Sequence, residues 1–385
     1  MQPTFVPLDF LNLLFVPLMV LTAVDAARNW SSLWDRELTG RDRQRLQRIV
    51  LFLLVPIVVL CHELGHVAAI KLFGGQVAEF HYAFIWGYVV PRGIFTVSQL
   101  VWSYLAGSLV QVIIGLAAIG AALVAGSPPI VALLVYLGLW SVAGTVVIYA
   151  LLSVTGLYGD WIAIYTAPVP ALVIPIAVVH ALLVVFVGWC LYGARPRMWF
   201  TAKTQPDWLA EQDSLKSALA AEPSAGNWLN LAWSFYRVGL NSQAGDALAR
   251  ARALDADLPE GRMLEGALAY RKGDMATASA CFQDLTQTEG ITDELRARSF
   301  VALGGCQMKR KQPEDALTSY GMAIRSCPWL ADAHFFKAML LADAGRLDEA
   351  REELATSQQL AWLDLTLKEV AAQELAALSR EIDKR

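Results

Sequence analysis

Five runs of about twenty apolar residues crowd into the first 193 positions, at roughly 5–24, 49–72, 99–125, 130–152 and 168–192. Each has the length at which a helix crosses the hydrocarbon core of a bilayer. A chain so built has few options, because backbone polar groups at membrane depth must be paired internally, which favours bundled helices. A soluble core has no use for five such runs in so short a stretch. Trp102, Trp140, Trp161 and Trp189 stand where interfacial anchors are expected.

The polar segments between the runs set an orientation. Residues 25–48 carry Arg28, Arg36, Arg41, Arg43, Arg45 and Arg48 against four acids, which places this loop in the cytoplasm by the positive-inside rule. Five crossings then put the tail from 193 onward, with Arg195, Arg197 and Lys203, on the same side. Residues 74–97 break the pattern. Phe80, Tyr82, Phe84, Trp86 and Tyr88 alternate with period two between Gly74-Gly75 and Pro91-Arg92-Gly93, as a strand with one aromatic face does. A β-hairpin or re-entrant sheet would satisfy its backbone.

From 205 onward the composition becomes that of a soluble, Ala- and Leu-rich helical protein. The formal charge is −4, and no basic run or aromatic-basic pattern suggests nucleic acid. The five cysteines form no CxxC pair, which favours a reducing compartment for this half. The first twenty residues include Asp9 and lack a Lys or Arg, and so do not read as a cleaved leader.

This half is periodic. Ala244, Ala278, Ala316 and Ala350 recur at spacings of 34, 38 and 34, each five residues after Gly239, Gly273, Lys311 or Gly345. Small residues (Ala232, Gly266, Gly304, Ala338) precede each alanine by twelve, and large ones (Leu248, Phe282, Tyr320, Leu354) follow by four. The pattern resembles the tetratricopeptide repeat, a helix-turn-helix unit whose small residues let paired helices pack closely. Repeats are expected at 225–258, 259–292, 297–330 and 331–364, after a half-repeat at 207–224 and before a polar capping helix at 365–385, with a linker at 193–206. Such an array offers a concave surface for a protein partner.

The second apolar run contains His62-Glu63-Leu64-Gly65-His66. On a helix, histidines four apart share one face and can bind one metal ion, and Glu63 can poise a water for attack. Ionisable groups in such a setting are functional by default. A catalytic zinc wants a third protein ligand, and between His66 and the soluble half only Glu79, His81, Asp160 and His180 remain. Asp160, after Gly156 and Gly159, falls on the membrane face where the second run ends, so His62, His66 and Asp160 can converge. The alternative is an interfacial Asp160 anchored by Trp161. Glu79 and His81 suit a hairpin surface, and His180 suits helix packing.

These residues carry a resemblance to the site-2-protease family of intramembrane zinc metalloproteases. HELGH is followed by an aromatic strand region and by Ala106 to Gln111 (AGSLVQ), similar to the family's AGPxxN signature. Asp160 stands where the family has its LDG aspartate. Ser108 replaces Pro, Gln111 replaces Asn, Gly159-Asp160-Trp161 replaces Leu-Asp-Gly, and no Asn-x-x-Pro precedes it. The resemblance implies zinc on His62, His66 and Asp160, with Glu63 taking the proton of the attacking water and passing it to the leaving amine. It implies a membrane protein or membrane peptide as substrate, unwound and received as an added strand around 77–90. Gln111 would position the substrate backbone, or else pack between helices.

The chain is thus expected to be mainly all-α: a polytopic membrane domain at 1–192 with a small β region, then an α-solenoid at 207–385. Its expected function is intramembrane proteolysis, with the repeats recruiting substrate or regulator. A catalytically silent membrane scaffold acting through its repeats is the alternative, and the scarcity of other polar groups in the spans argues against transport.

Overall fold

The computed structural model describes residues 12–35, 38–154, 159–360 and Ser379. The chain divides into two compact units, Met1–Leu209 and Ala210–Arg385. In the first, α1 (Asn12–Arg28), α2 (Trp30–Leu33) and α3 (Gly40–Ile49) precede α4 (Val55–Leu72). A capping box of Thr39 and Asp42 starts α3, and a π-helical segment, Val50–Leu54, joins it to α4 without a break. A hairpin of β1 (Gln76–Tyr82) and β2 (Gly87–Arg92) follows, then α5 (Val97–Val124) and α6 (Pro128–Ala143). A second π segment, Gly144–Tyr149, runs on into α7 (Ala150–Val154); α8 (Asp160–Tyr165), α9 (Pro170–Tyr192) and α10 (Ala194–Thr204) complete the unit.

Among the described residues four helices are long and apolar enough to cross a membrane: Gly40–Leu72, Val97–Val124, Pro128–Ser153 and Pro170–Tyr192. They match the last four apolar runs, while the first run lies partly outside the described residues. Apolar side chains cover much of their outer surface. Ile174, Val178, Leu182 and Val185 on α9 are each more than half exposed. Trp102, Trp140 and Trp189 are exposed, but Trp161 is 4% exposed and belongs to the core with Val101, Val112, Val146 and Ile164. It is therefore a packing residue, not an interfacial anchor.

Two expectations are corrected here. The expected β-hairpin forms, but its aromatics do not make one face: the chain reverses at Phe84 (φ 59°), and β1 pairs antiparallel with β2 from Gln76↔Arg92 to Tyr82↔Gly87, with a register shift between Val77 and Glu79. Phe80 pairs with Val89 and His81 with Tyr88, so Tyr88 lies on the face of His81, opposite to Phe80 and Tyr82, and stacks on His81 across the ladder. The linker expected at 193–206 is instead largely α10, whose Phe200 ring packs on Tyr136 of α6 at 5.9 Å.

The second unit is an array of helix pairs of tetratricopeptide type. After α11 (Pro206–Ala221) come α12 (Ala225–Arg237) with α13 (Asn241–Leu254) and α14 (Pro259–Lys272) with α15 (Met275–Gln287). The last pairs are α16 (Asp293–Lys309) with α17 (Pro313–Ser326) and α18 (Ala331–Asp343) with α19 (Leu347–Gln359). The four-residue insertion lengthens α16 to 17 residues, so the third repeat begins at 293 and not 297. The expected cap at 365–385 lies, apart from Ser379, outside the described residues. Gly266 and Gly304 are small by necessity, because a Cβ at either would lie 2.5 Å from the ring of Phe282 or Tyr320.

The period-setting glycines close the first helix of each pair. Gly239, Gly273 and Gly345 are left-handed, with φ of 78°, 81° and 76°, and Lys311 takes the same conformation at 61°. Each ends its helix in a Schellman motif; in the third repeat the Lys311 N–H bonds Met308 O and the Gln312 N–H bonds Gln307 O. Only at Lys311 does a Cβ oppose that conformation. Lys311→Gly is expected to stabilise the array by about 1 kcal/mol, read as a raised denaturant midpoint at unchanged slope. A lowered midpoint would show that the lysine side chain outweighs the backbone strain.

Candidate metal centre

The site forms where α4, α5 and α8 meet. His62, Glu63 and His66 are all buried on α4. Close approach of α5 depends on two glycines. A Cβ on Gly65 would lie 2.8 Å from Ala106 O, and one on Gly107 would lie 2.4 Å from His66 Nε2 and 2.6 Å from His62 Nε2. Asp160, the first residue of α8, completes the group: one ligand atom from each of His62, His66 and Asp160 lies within 4.8 Å of the others. Among the described residues this is the cluster able to hold a metal ion.

The histidines are oriented. His62 Nδ1–H donates to Gln111 Oε1 at 3.0 Å, and His66 Nδ1–H donates to Ser103 O at 2.7 Å. Each ring thereby keeps its Nε2 lone pair for the interior of the site. Both Nε2 atoms face one carboxylate oxygen, Asp160 Oδ2, at 3.3 and 3.2 Å. Those separations match the edge of a tetrahedron with metal–ligand bonds of about 2.0–2.1 Å. The donor set, two imidazoles and a carboxylate, is the kind that zinc takes at catalytic sites.

Glu63 is not one of the three converging residues. Its Oε2 is buried with no hydrogen-bond partner, an arrangement that costs about 1–3 kcal/mol. The hairpin lies against it, and a Cβ on Gly87 would fall 2.8 Å from Glu63 Cγ. Tyr82 Oη–H, donating to Pro56 O at 2.8 Å, ties the hairpin to α4.

The remaining candidates separate cleanly. Gln111 Oε1 is engaged by His62 Nδ1–H, which leaves its amide NH2 as the group that could meet a substrate backbone. Ser108 accepts from Thr145 Oγ1 at 2.9 Å, so the AGSLVQ stretch acts through Gly107, Ser108 and Gln111 on one helix face. Glu79 is exposed and accepts from the Tyr88 hydroxyl. His180 donates to Val146 O at 2.6 Å and stacks on Trp161, the packing role expected of it. Three contributors had no sequence signal of their own: the Ser103 carbonyl, the Gly107 void and Tyr149, a hydroxyl within an apolar run.

No protein-family model matches the chain, and no curated protein matches it. Solved structures do. The chain is similar to a thermophilic TPR protein of Thermus thermophilus, at 20% identity over 48% of this chain and 97% of that one, with a TM-score of 0.37. It is similar to PilF of Pseudomonas aeruginosa, at 19% identity over 49% and 84% of the two chains, TM-score 0.37. A third is YrrB, described as a TPR protein with an unusual peptide-binding site, at 23% identity over 38% and 75%, TM-score 0.31.

Proposed function

We propose that this chain is a membrane-embedded zinc-dependent endopeptidase whose repeat unit, on the cytoplasmic side, engages a protein partner or the soluble part of a substrate. One observation carries the reading: three ligand atoms converge beside buried Glu63, whose Oε2 has no hydrogen-bond partner. A structural site needs no such neighbour, whereas hydrolysis needs a base. The exposed apolar faces of the four long helices support a bilayer setting.

Zinc held by His62 Nε2, His66 Nε2 and Asp160 Oδ2 would supply a Lewis acid that polarises a peptide carbonyl and acidifies water. Glu63 Oε2 takes the proton of the attacking water and delivers it to the leaving nitrogen, so that the C–N bond breaks into a carboxylic acid and an amine. Gln111 and the Ser103 carbonyl hold the ligand rings in place. The hairpin supplies the substrate subsite: an extended peptide added to its edge gains main-chain hydrogen bonds and is carried toward Glu63 by the Gly87 contact.

A second reading, a silent membrane anchor for an interaction array, also has an observation behind it. Asp160 Oδ2 lies within hydrogen-bond distance of both histidine Nε2 atoms, and imidazolium rings donating to it would make a self-satisfied cluster that serves an anchor equally well. Metal content and cleavage decide between them. Full-length protein in detergent is expected to hold about one zinc per chain and to cut a transmembrane peptide, while His62→Ala loses both. Wild type that takes up no zinc from a zinc-supplemented buffer would end the enzyme reading.

A further inference from the structure

His62 and His66 are set by one rigid helix. Asp160 has no such support, since it opens a helix of six residues, Asp160–Tyr165. Its placement comes from the neighbouring π segment, Gly144–Tyr149.

Tyr149, the last residue of that segment, grips Asp160 twice through one atom. Its phenol oxygen accepts the Asp160 backbone N–H at 3.1 Å, and its O–H donates to Asp160 Oδ2 at 3.3 Å. The two bonds close a ring through Asp160 and fix its side-chain torsions. The donated bond also occupies one lone-pair direction of Oδ2, leaving another toward the histidines. The Tyr149 ring meets His62 edge-on, with centroids 5.9 Å apart. Gly159 makes this approach possible, because a Cβ there would lie 3.0 Å from Tyr149 Oη and 2.5 Å from Ser153 Oγ.

The rest of the segment anchors α8 from the other side. Trp161 Nε1–H donates to Thr145 O at 2.8 Å. The Trp161 ring stacks on His180 at 3.9 Å, and His180 in turn donates to Val146 O. Thr145, Val146 and Tyr149 therefore hold α8 in place, directly or through His180, from one stretch of helix.

We propose that Tyr149 is a positioning residue for the metal centre: its phenol holds the Asp160 carboxylate so that the single oxygen Oδ2 is offered to the metal. This rests on the zinc reading above. Tyr149 is not one of the converging residues, and its hydroxyl bonds are to Asp160, so it acts through that carboxylate.

The test is Tyr149→Phe in the full-length protein, with Gly159→Ala as a second variant that keeps the hydroxyl but crowds it off Asp160. Three quantities are read: zinc affinity by chelator competition, the visible spectrum of the cobalt-substituted protein, and the melting temperature of metal-stripped protein. Both variants are expected to bind zinc about 10–100-fold more weakly and to change the cobalt spectrum, while kcat falls at constant KM. Metal-stripped Tyr149→Phe is expected to melt with wild type, which separates positioning from folding. Wild-type zinc affinity and an unchanged cobalt spectrum in both variants would overturn the proposal and leave the enzyme reading standing. Wild type that binds neither metal would overturn both.

Discussion

Glu63→Gln is expected to bind zinc as the wild type does and to cleave a membrane peptide about 10²–10⁴-fold more slowly. The two properties part because Glu63 is not among the converging ligand atoms, which belong to His62, His66 and Asp160. Glutamine fills the same space against Gly87 but cannot accept a proton at neutral pH. Replacing a buried, unpartnered carboxylate oxygen by a neutral amide also removes a desolvation cost, so the variant should fold at least as well as the wild type. Zinc content by mass spectrometry and turnover of one transmembrane peptide check the two halves together. Equal turnover in both proteins would sink Glu63 as the base. Absence of turnover in both, at full zinc occupancy, would leave the silent scaffold.

Gly107→Ala is expected to abolish zinc binding, although it adds one methyl group and no charge. The new Cβ would stand 2.4 Å from His66 Nε2 and 2.6 Å from His62 Nε2 and Cδ2. Bonds from zinc to imidazole nitrogen are about 2.0–2.1 Å, so the methyl takes the volume that both rings enclose. Helix α5 itself gains from the change, since alanine is the better helix former by about 1 kcal/mol. Gly115→Ala makes the control. Its Cβ meets Val142 Cγ2 at 2.6 Å and Gly138 O at 2.9 Å, between α5 and α6, so it should loosen helix packing and spare zinc. Full zinc occupancy in Gly107→Ala would mean that the metal does not sit between the two histidines.

Much of this arrangement was legible in the sequence because it rests on spacing. Histidines four apart on a helix share a face, and a 34-residue step in small and large residues gives paired helices. The parity of apolar runs put Asp160 on the face where His66 ends. What escaped depends on contacts that spacing does not encode. A tryptophan beside a carboxylate reads as an interfacial anchor, yet Trp161 is buried because His180, on the following helix, offers a ring to stack against. An alternating aromatic run reads as one face of one strand, since nothing in the spacing shows the turn with Phe84 in the left-handed region, after which Tyr88 shares the face of His81. That Gln111 also orients His62 escaped, because nothing in the sequence shows that the ring reaches its oxygen. Tyr149 is one hydroxyl among apolar neighbours, and only the fold brings it to a residue eleven positions later.

The π segment Gly144–Tyr149 carries a consequence for descent. A helix held by i→i+5 bonds accommodates one residue more than the same rise of α-helix, so the segment is the geometric equivalent of a single-residue insertion in a long apolar helix. A relative lacking that residue would keep the apolar run and HELGH, and by composition would be indistinguishable. Its helix would turn by about 100° at that point, taking a tyrosine at position 149 off the face that meets Asp160. On the enzyme reading proposed above, competence for hydrolysis would therefore be gained or lost among relatives by an indel that no inventory of ligands records.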